Sequence, residues 1–142
     1  MLRALAFAGL GTLLFALPAG AFATPRLPCQ SAGPPPRIPD VAGPGRPAKL
    51  VTASWYGPRH QGRPTASGEI FDAGALTATH PSLPFGTRLV VTNPRIGSTV
   101  RVCINDRGPF VRGRTLDLSE AAARLIGTHD AGTATVAIVV SR

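Results

Sequence analysis

The chain has few charged residues, and few of those are acidic. Only 15% of its 142 residues are charged, and 7 Asp and Glu stand against 15 Lys and Arg. The low charge excludes a polyelectrolyte tail or a long charged helix, and 44% apolar residues exclude a wholly disordered chain. The 16 Gly and 15 Pro argue against a helical bundle, because both are poor helix formers. A chain of this length holds one modest domain, which we expect to be turn-rich and dominated by β-strands.

The basic residues form no cluster. The formal net charge of +8 attracts polyanions, but the arginines are scattered singly, without the Lys/Arg runs of a nucleic-acid-binding patch. We therefore expect no nucleic-acid partner. The charge is suited to cell-wall polymers or anionic lipid instead.

The amino-terminal apolar segment is too short for a transmembrane helix. Residues 5–17 are mostly apolar, whereas a spanning helix needs about 20 such residues. Arg3 before the run and the small-residue motif AFA at 21–23 are typical of a cleaved export signal; the alternative is a membrane anchor. We predict a signal peptide over residues 1–23, cleavage near Ala23, and a soluble mature chain that is periplasmic or secreted.

The two cysteines are informative in an exported chain, because oxidising compartments favour disulfides. Cys29 lies in a Pro-rich stretch and Cys103 in the apolar run 99–104. A bridge would tie the Pro-rich stretch to the domain. The alternative is two unrelated thiols, with Cys103 a small buried residue. We favour the bridge. Because Pro28 directly precedes Cys29, we expect no lipid anchor there.

The mature chain divides into two parts. Residues 24–48 contain 8 Pro and 3 Gly and few large apolar side chains, which predicts an extended arm or linker. Residues 49–142 form the domain. Short β-branched segments bounded by Gly, Pro or Asn predict strands within it, at 50–56, 88–92, 99–104 and 133–140.

The connections between these strands are also readable. Residues 93–98 (NPRIGS) predict a hairpin turn. One segment predicts a helix, with Ser119 as N-cap, Glu120 in the first turn and Gly127 as the stop. Several short strands with one short helix favour a compact β-barrel.

Because acidic residues are scarce, their positions are informative. Glu69 and Asp72 lie in the loop-like segment TASGEIFDAG, and Asp106 ends a predicted strand in INDRGPF. Loops on a rigid scaffold are where functional groups concentrate. His80 follows in LTATH, where the alternative is an ordinary turn or surface histidine.

The sequence lacks the residue patterns typical of metal sites and of serine or cysteine nucleophiles. No two histidines stand at metal-ligand spacing, no serine lies in a nucleophile elbow, and neither cysteine has a basic partner nearby. The sequence predicts neither a metal nor another cofactor.

The segments ASWYG, GRPTASGEIFD, LTATH, LPFGTRLVVTN, INDRGPF and RTLDLSEAAARLIG make residues 53–127 resemble the rare lipoprotein A (RlpA-like) family. The resemblance implies a mainly β fold, a six-stranded double-psi β-barrel with one short helix, as in barwin and expansins. It implies endolytic transglycosylation of peptidoglycan, on glycan strands stripped of their stem peptides. It also implies functional roles for Glu69, Asp72, His80 and Asp106.

The implied chemistry assigns a duty to each of these residues. In transglycosylation the sugar's own C6 hydroxyl attacks its anomeric carbon, so one group can act first as acid and then as base. We expect Asp106 and Glu69 to share these duties, without ranking them. The alternatives are turn capping for Asp106 and a solvated loop charge for Glu69. Asp72 would tune the others, and His80 would orient or protonate one of them.

Substrate contacts are expected from aromatic and basic residues. Trp55 and Tyr56 either offer flat faces to sugar rings or belong to the core. Arg63 or Arg107 would meet the lactyl carboxylate of muramic acid.

Asp117 is expected to pair with Arg107 or Arg114 as internal bracing. We also expect a monomer. The same fold supports two other functions, a non-catalytic expansin-like module that binds cell-wall polysaccharide and an inhibitor of barwin type.

Overall fold

A computed structural model describes Cys29 and residues 47–141. The predicted signal peptide and most of the predicted arm lie outside the described residues. Within the described part of the chain, no helix is long and apolar enough to cross a bilayer.

The described residues form six strands, one α-helix and one short 3₁₀ turn. The four long predicted strands, the hairpin and the helix are confirmed, whereas two short strands carry no pattern that predicts them. The elements are β1 (Lys49–Tyr56), a 3₁₀ turn (Pro58–His60), β2 (Thr77–Thr79), β3 (Arg88–Thr92), β4 (Thr99–Asp106), β5 (Leu116–Ser119), α1 (Glu120–Leu125) and β6 (Thr133–Ser141).

The strands close into a barrel in the order β1-β5-β2-β4-β3-β6. The pairs β1–β5 and β2–β4 are parallel, and the other four pairs are antiparallel. Closure leaves no free sheet edge among these strands, so every strand is held on both sides. The predicted six-stranded barrel with one short helix is confirmed.

Alternating side chains divide the strands between the barrel interior and its surface. In β5, Leu116 and Leu118 are fully buried in the core cluster, so Asp117 between them points to the opposite face. The interior is filled by aliphatic side chains from all six strands and from α1. The polar side chains of these strands are not all exposed, because some on the short strands β2 and β5 are buried.

The helix and the hairpin support each other. The Ser119 side chain caps α1 by accepting from the Ala122 N–H, and Gly127 ends the helix with a positive φ of 66°. In the hairpin, the Asn93 N–H donates to Ser98 O, and the Asn93 side chain donates to Ile126 O. This bond ties the turn to the helix end.

The strand register brings two carboxylates to one side of the barrel. Thr79 of β2 is opposite Asp117 of β5 and, after a register shift, opposite Asp106 of β4. Neighbouring strands lie about 5 Å apart, so the backbones of the two aspartates are roughly 10 Å apart with Thr79 between them. This row of three residues underlies the site.

Candidate active site

A groove of about 720 Å³ lies over the row formed by Asp106, Thr79 and Asp117. The lining also includes residues 55–60, residues 107–110 and Arg114. The volume of the groove falls in the range of small-molecule sites, and five of its lining residues belong to strands. The groove can therefore hold a sugar ring against a rigid base.

Asp106 is a fixed carboxylate in this groove. Its Oδ1 accepts the N–H groups of Ala66 at 2.9 Å and of Arg107 at 2.8 Å. The first donor comes from the loop after the 3₁₀ turn and the second from its own chain neighbour. Two bonds to one oxygen fix the plane of the carboxylate, which suits a group that must face a defined point of the substrate.

Asp117 lines the groove, and only one of its two carboxylate oxygens is engaged. Its Oδ2 accepts from Arg114 Nη2 at 3.0 Å. Its Oδ1 is buried and has no hydrogen-bond partner among the described residues. Burial raises the pKa of Asp117 above its ordinary 3.8, and the neighbouring Arg114 offsets part of this rise. A raised pKa is what a carboxylic acid needs to donate a proton.

The sequence predicts a bracing role for Asp117 but not its place in the groove. The pair with Arg114 is present, but it occupies only one of the two oxygens. The available signal was the alternation Leu116–Asp117–Leu118, which sets a carboxylate on the face opposite two core leucines. Thr79 was missed as well; its Oγ1 is buried without a hydrogen bond in the described structure.

Tyr56 brings a phenol into the groove lining, within range of the charges of both carboxylates. Its ring packs on Phe71 at 4.3 Å and meets the edge of His60 at 5.7 Å. Burial raises the pKa of Tyr56, the charges of Asp106 and Asp117 raise it further, and the nearby Thr77 hydroxyl offsets a little. The phenol therefore stays protonated and is a hydrogen-bond donor at any physiological pH.

Glu69 is buried outside the groove. Its Oε1 accepts the Cys29 N–H at 2.6 Å, and its Oε2 accepts from Asn105 Nδ2 at 2.8 Å. The residue directly after Asn105 is Asp106, and the loop 65–69 that carries Glu69 also supplies the Ala66 N–H to Asp106. The two carboxylates are thus linked through one loop, but they do not face one groove.

A disulfide lies beside Glu69. The structure joins Cys29 to Cys103 of β4, with 5.8 Å between their Cα atoms. The bridge holds the Cys29 N–H against Glu69. The arm residue therefore covers the buried glutamate.

Asp72 and His80 also lie outside the groove lining. Asp72 is exposed, and its Oδ1 accepts the Gly74 N–H at 2.9 Å, an Asx-turn contact. The expectation that four predicted residues meet in one groove is not what the structure shows, because only Asp106 lines it. The strand register brings Asp106 into the groove lining. Glu69, Asp72 and His80 make hydrogen bonds in loops outside it.

His80 organises a loop. Its Nδ1 accepts the N–H groups of Ser82 at 3.1 Å and Leu83 at 3.0 Å, which places the ring proton on Nε2. Burial lowers the pKa of His80, and the charges of Lys49 and Arg107 lower it further. The imidazole is therefore neutral at pH 7 and serves as an acceptor.

We expect His80→Ala to lower the free energy of unfolding by about 1–3 kcal/mol, because two loop N–H groups lose their acceptor. His80→Asn should retain most of the stability, since its side-chain oxygen can stand where Nδ1 accepts. Urea unfolding of both variants measures the difference. Equal losses in the two variants would contradict the acceptor role.

The same contact gives an expected pH dependence. Because the folded pKa of His80 is lowered, the unfolded chain binds the proton first as pH falls. The stability that His80 contributes is present above the ordinary histidine pKa of 6.5 and is lost as pH falls below it. Thermal unfolding at pH 7.5 and pH 5, compared with His80→Asn, checks this sign.

Three of the four predicted substrate-binding residues line the groove. Trp55 and Tyr56 line the groove, and the Trp55 indole stacks on His129 at 4.2 Å while its Nε1 donates to His129 O. Arg107 lines the groove too, whereas the exposed Arg63 does not.

Comparison with known proteins places the barrel in a family. The family described as "Lytic transglycolase" matches residues 49–138, which include all six strands except the end of β6. The chain belongs to this family. The predicted double-psi β-barrel and RlpA-like membership are thereby confirmed.

Two curated relatives of the lytic transglycolase family carry the same name, "Probable endolytic peptidoglycan transglycosylase RlpA". The protein from Synechocystis sp. is 60% identical over 86 residues, which are 61% of this chain and 27% of the relative. The protein from Nostoc sp. is 50% identical over 118 residues, which are 81% of this chain and 32% of the relative. The chain thus spans about a third or less of these relatives.

A solved structure supports the same fold. An expansin from Clavibacter michiganensis superposes with a TM-score of 0.54 and is 30% identical, covering 68% of this chain and 51% of that one. The lytic transglycolase barrel therefore shares its architecture with an expansin domain, as predicted.

Proposed function

We propose that the chain is an endolytic lytic transglycosylase that cleaves the bond between N-acetylmuramic acid and N-acetylglucosamine in peptidoglycan. The observation that carries this proposal is Asp117, a carboxyl group in the lining of a sugar-sized groove, with a raised pKa and one oxygen that has no hydrogen-bond partner among the described residues. The names of the curated relatives support the same substrate and reaction.

The reaction needs one proton donor that later becomes a proton acceptor. Asp117 donates its proton to the glycosidic oxygen as the bond to the anomeric carbon breaks. The C6 hydroxyl of the muramic acid then bonds to that carbon, and its proton passes to the Asp117 carboxylate. A 1,6-anhydro ring forms, no water is consumed, and Asp117 returns to its acid form.

The remaining groove residues stabilise the charge that develops. Positive charge builds on the sugar ring as the leaving oxygen departs, and the fixed carboxylate of Asp106 faces the same groove. The protonated phenol of Tyr56, in the lining of the same groove, is a hydrogen-bond donor available to substrate oxygens. A hydrolytic enzyme would use a second carboxylate to activate water, a duty that the internal C6 nucleophile removes.

The other predicted catalytic residues act through structure. Glu69 fixes Asn105 and the loop 65–69, and so sets the position of the Ala66 N–H that holds Asp106. His80 holds the loop after β2, and its carbonyl lies 3.4 Å from Arg107 Nη1. Asp72 shapes its own turn. We assign all three as positioning residues.

The proposed substrate favours a location outside the cytoplasm. Peptidoglycan lies beyond the inner membrane, and the predicted signal peptide provides for export of the chain. We therefore propose a soluble, monomeric enzyme in the periplasm or the medium. Its substrate is glycan freed of stem peptides.

Product analysis tests the proposed activity. The purified mature chain is incubated with denuded glycan strands, and the fragments are identified by mass spectrometry. Ends lighter by one water than hydrolysis products, as 1,6-anhydromuramic acid requires, are expected. Hydrolysed ends would contradict the transglycosylase mechanism. Intact strands that co-sediment with the protein would favour a non-catalytic binding module.

A further inference from the structure

The three arginines of the groove differ in what their guanidinium groups do. Arg107 is immobilised, because its Nη1 donates to Leu83 O at 2.7 Å and its guanidinium lies 3.8 Å from the centre of the Phe85 ring. Arg114 is paired with Asp117. Arg59 is exposed and has no hydrogen bond or ion pair with any described residue. Of these groove cations, Arg59 is the one whose charge is available to a ligand.

Arg59 stands on an ordered base at the rim of the groove. It lies in the 3₁₀ turn Pro58–His60, which begins two residues after Tyr56. The turn is held by His60 N–H to Gly57 O at 3.2 Å and by Gln61 N–H to Pro58 O at 3.0 Å. The backbone position is therefore fixed relative to the reacting centre, while the side chain is free to move.

The expected substrate brings an anion to this rim. Muramic acid carries a lactyl ether on the same ring whose anomeric carbon reacts. Its carboxyl group is a free carboxylate in denuded strands and an amide where a stem peptide is attached. Asp106 also lines the groove as a carboxylate, so a second carboxylate bound beside it needs a cation to offset the repulsion.

We propose that Arg59 binds the lactyl carboxylate of the reacting muramic acid and so selects glycan strands that have lost their stem peptides. This inference rests on the proposed function. A guanidinium offers two parallel N–H donors that match a carboxylate, and an amide cannot accept this charge-assisted pair. The two arginines expected from the sequence serve less well, because Arg63 lies outside the groove and Arg107 is immobilised.

The experiment compares two forms of one glycan. Denuded strands are used as such, and a second portion has its lactyl carboxyl groups converted to methylamides. Binding constants and KM are measured for the wild-type chain, Arg59→Ala, Arg59→Lys and the matched control Arg63→Ala. Arg63→Ala removes the same charge from an exposed position outside the groove.

For Arg59→Ala we expect about fivefold weaker binding of the carboxylate strands and no change for the amidated strands. Arg59→Lys should recover part of the lost affinity, because it restores the positive charge but not the two parallel N–H donors of the guanidinium. Arg63→Ala should leave the ratio between the two substrates unchanged. Equal weakening by Arg59→Ala and Arg63→Ala would show that only the net positive charge matters, and would overturn the proposal.

Failure of this inference is separable from failure of the proposed function. If the wild-type chain produces no anhydro ends from either substrate, the enzymatic proposal is wrong. The binding comparison still decides the role of Arg59 in that case. If the chain cleaves both substrates with equal KM and equal affinity, the enzymatic proposal stands and the selection by Arg59 is wrong.

Discussion

Replacing Asp117 by Asn is expected to lower kcat by about 10²–10⁴-fold, because the amide can neither donate the proton nor accept it back. The replacement retains the size of the side chain and an oxygen that can face Arg114, so folding should persist. Rates of anhydro-product formation measure the loss. Asp130→Asn, at a fully exposed carboxylate outside the groove, is the matched control.

The pH profile separates a catalytic Asp117 from a structural one. Only the protonated form donates, so kcat should fall as pH rises through the pKa of Asp117, which burial holds above its ordinary 3.8. Arg114 lowers this pKa. Arg114→Gln should therefore move the alkaline limb of the profile to higher pH. A profile unchanged by Arg114→Gln, or an Asp117→Asn variant with ordinary activity, would contradict the assignment.

Removing the disulfide should produce the largest loss of stability. The double variant Cys29→Ser, Cys103→Ser opens a link between residues 74 apart. Chain-entropy reasoning gives about 4 kcal/mol for such a loop, within the range of about 2–5 kcal/mol for native disulfides. Urea unfolding measures the difference. The wild-type chain with a reductant should approach the variant.

The hydrogen bond between Glu69 and Cys29 allows a second test of the role of the disulfide. Without the bridge, the Cys29 N–H is no longer held against the buried carboxylate. Glu69→Gln should therefore cost more stability in the bridged chain than in the double serine variant, because the partners are coupled. Additive losses would show that the arm residue and Glu69 act independently. A loss below about 1 kcal/mol for the double variant would contradict the stabilising role of the bridge.

Much of the fold is readable from local sequence. The strands β1, β3, β4 and β6 are long, β-branched and bounded by turn residues, and the capped helix α1 carries its own start and stop signals. The strands β2 and β5 have three and four residues, too few to show a period. Their existence depends on tertiary pairing with longer strands, which no local pattern records.

The site is less readable, because it depends on which strands are neighbours. Asp106 is found from its place at a strand end. Asp117 enters the groove only because β5 lies between β1 and β2, a pairing that joins distant parts of the chain. Glu69 and His80 occur in Gly- and Pro-bounded loops, and such loops suit a buried supporting residue as well as a catalytic one.

The row formed by Asp106, Thr79 and Asp117 also limits how such a site can diverge. Side chains alternate along a strand, so deleting one residue inside β5 would turn a leucine toward solvent and a carboxylate toward the barrel interior. Substrate preference in this architecture can therefore change by substitution on the strands and by variation in the loops at the rim. Insertions and deletions are tolerated only where no strand has to change its register.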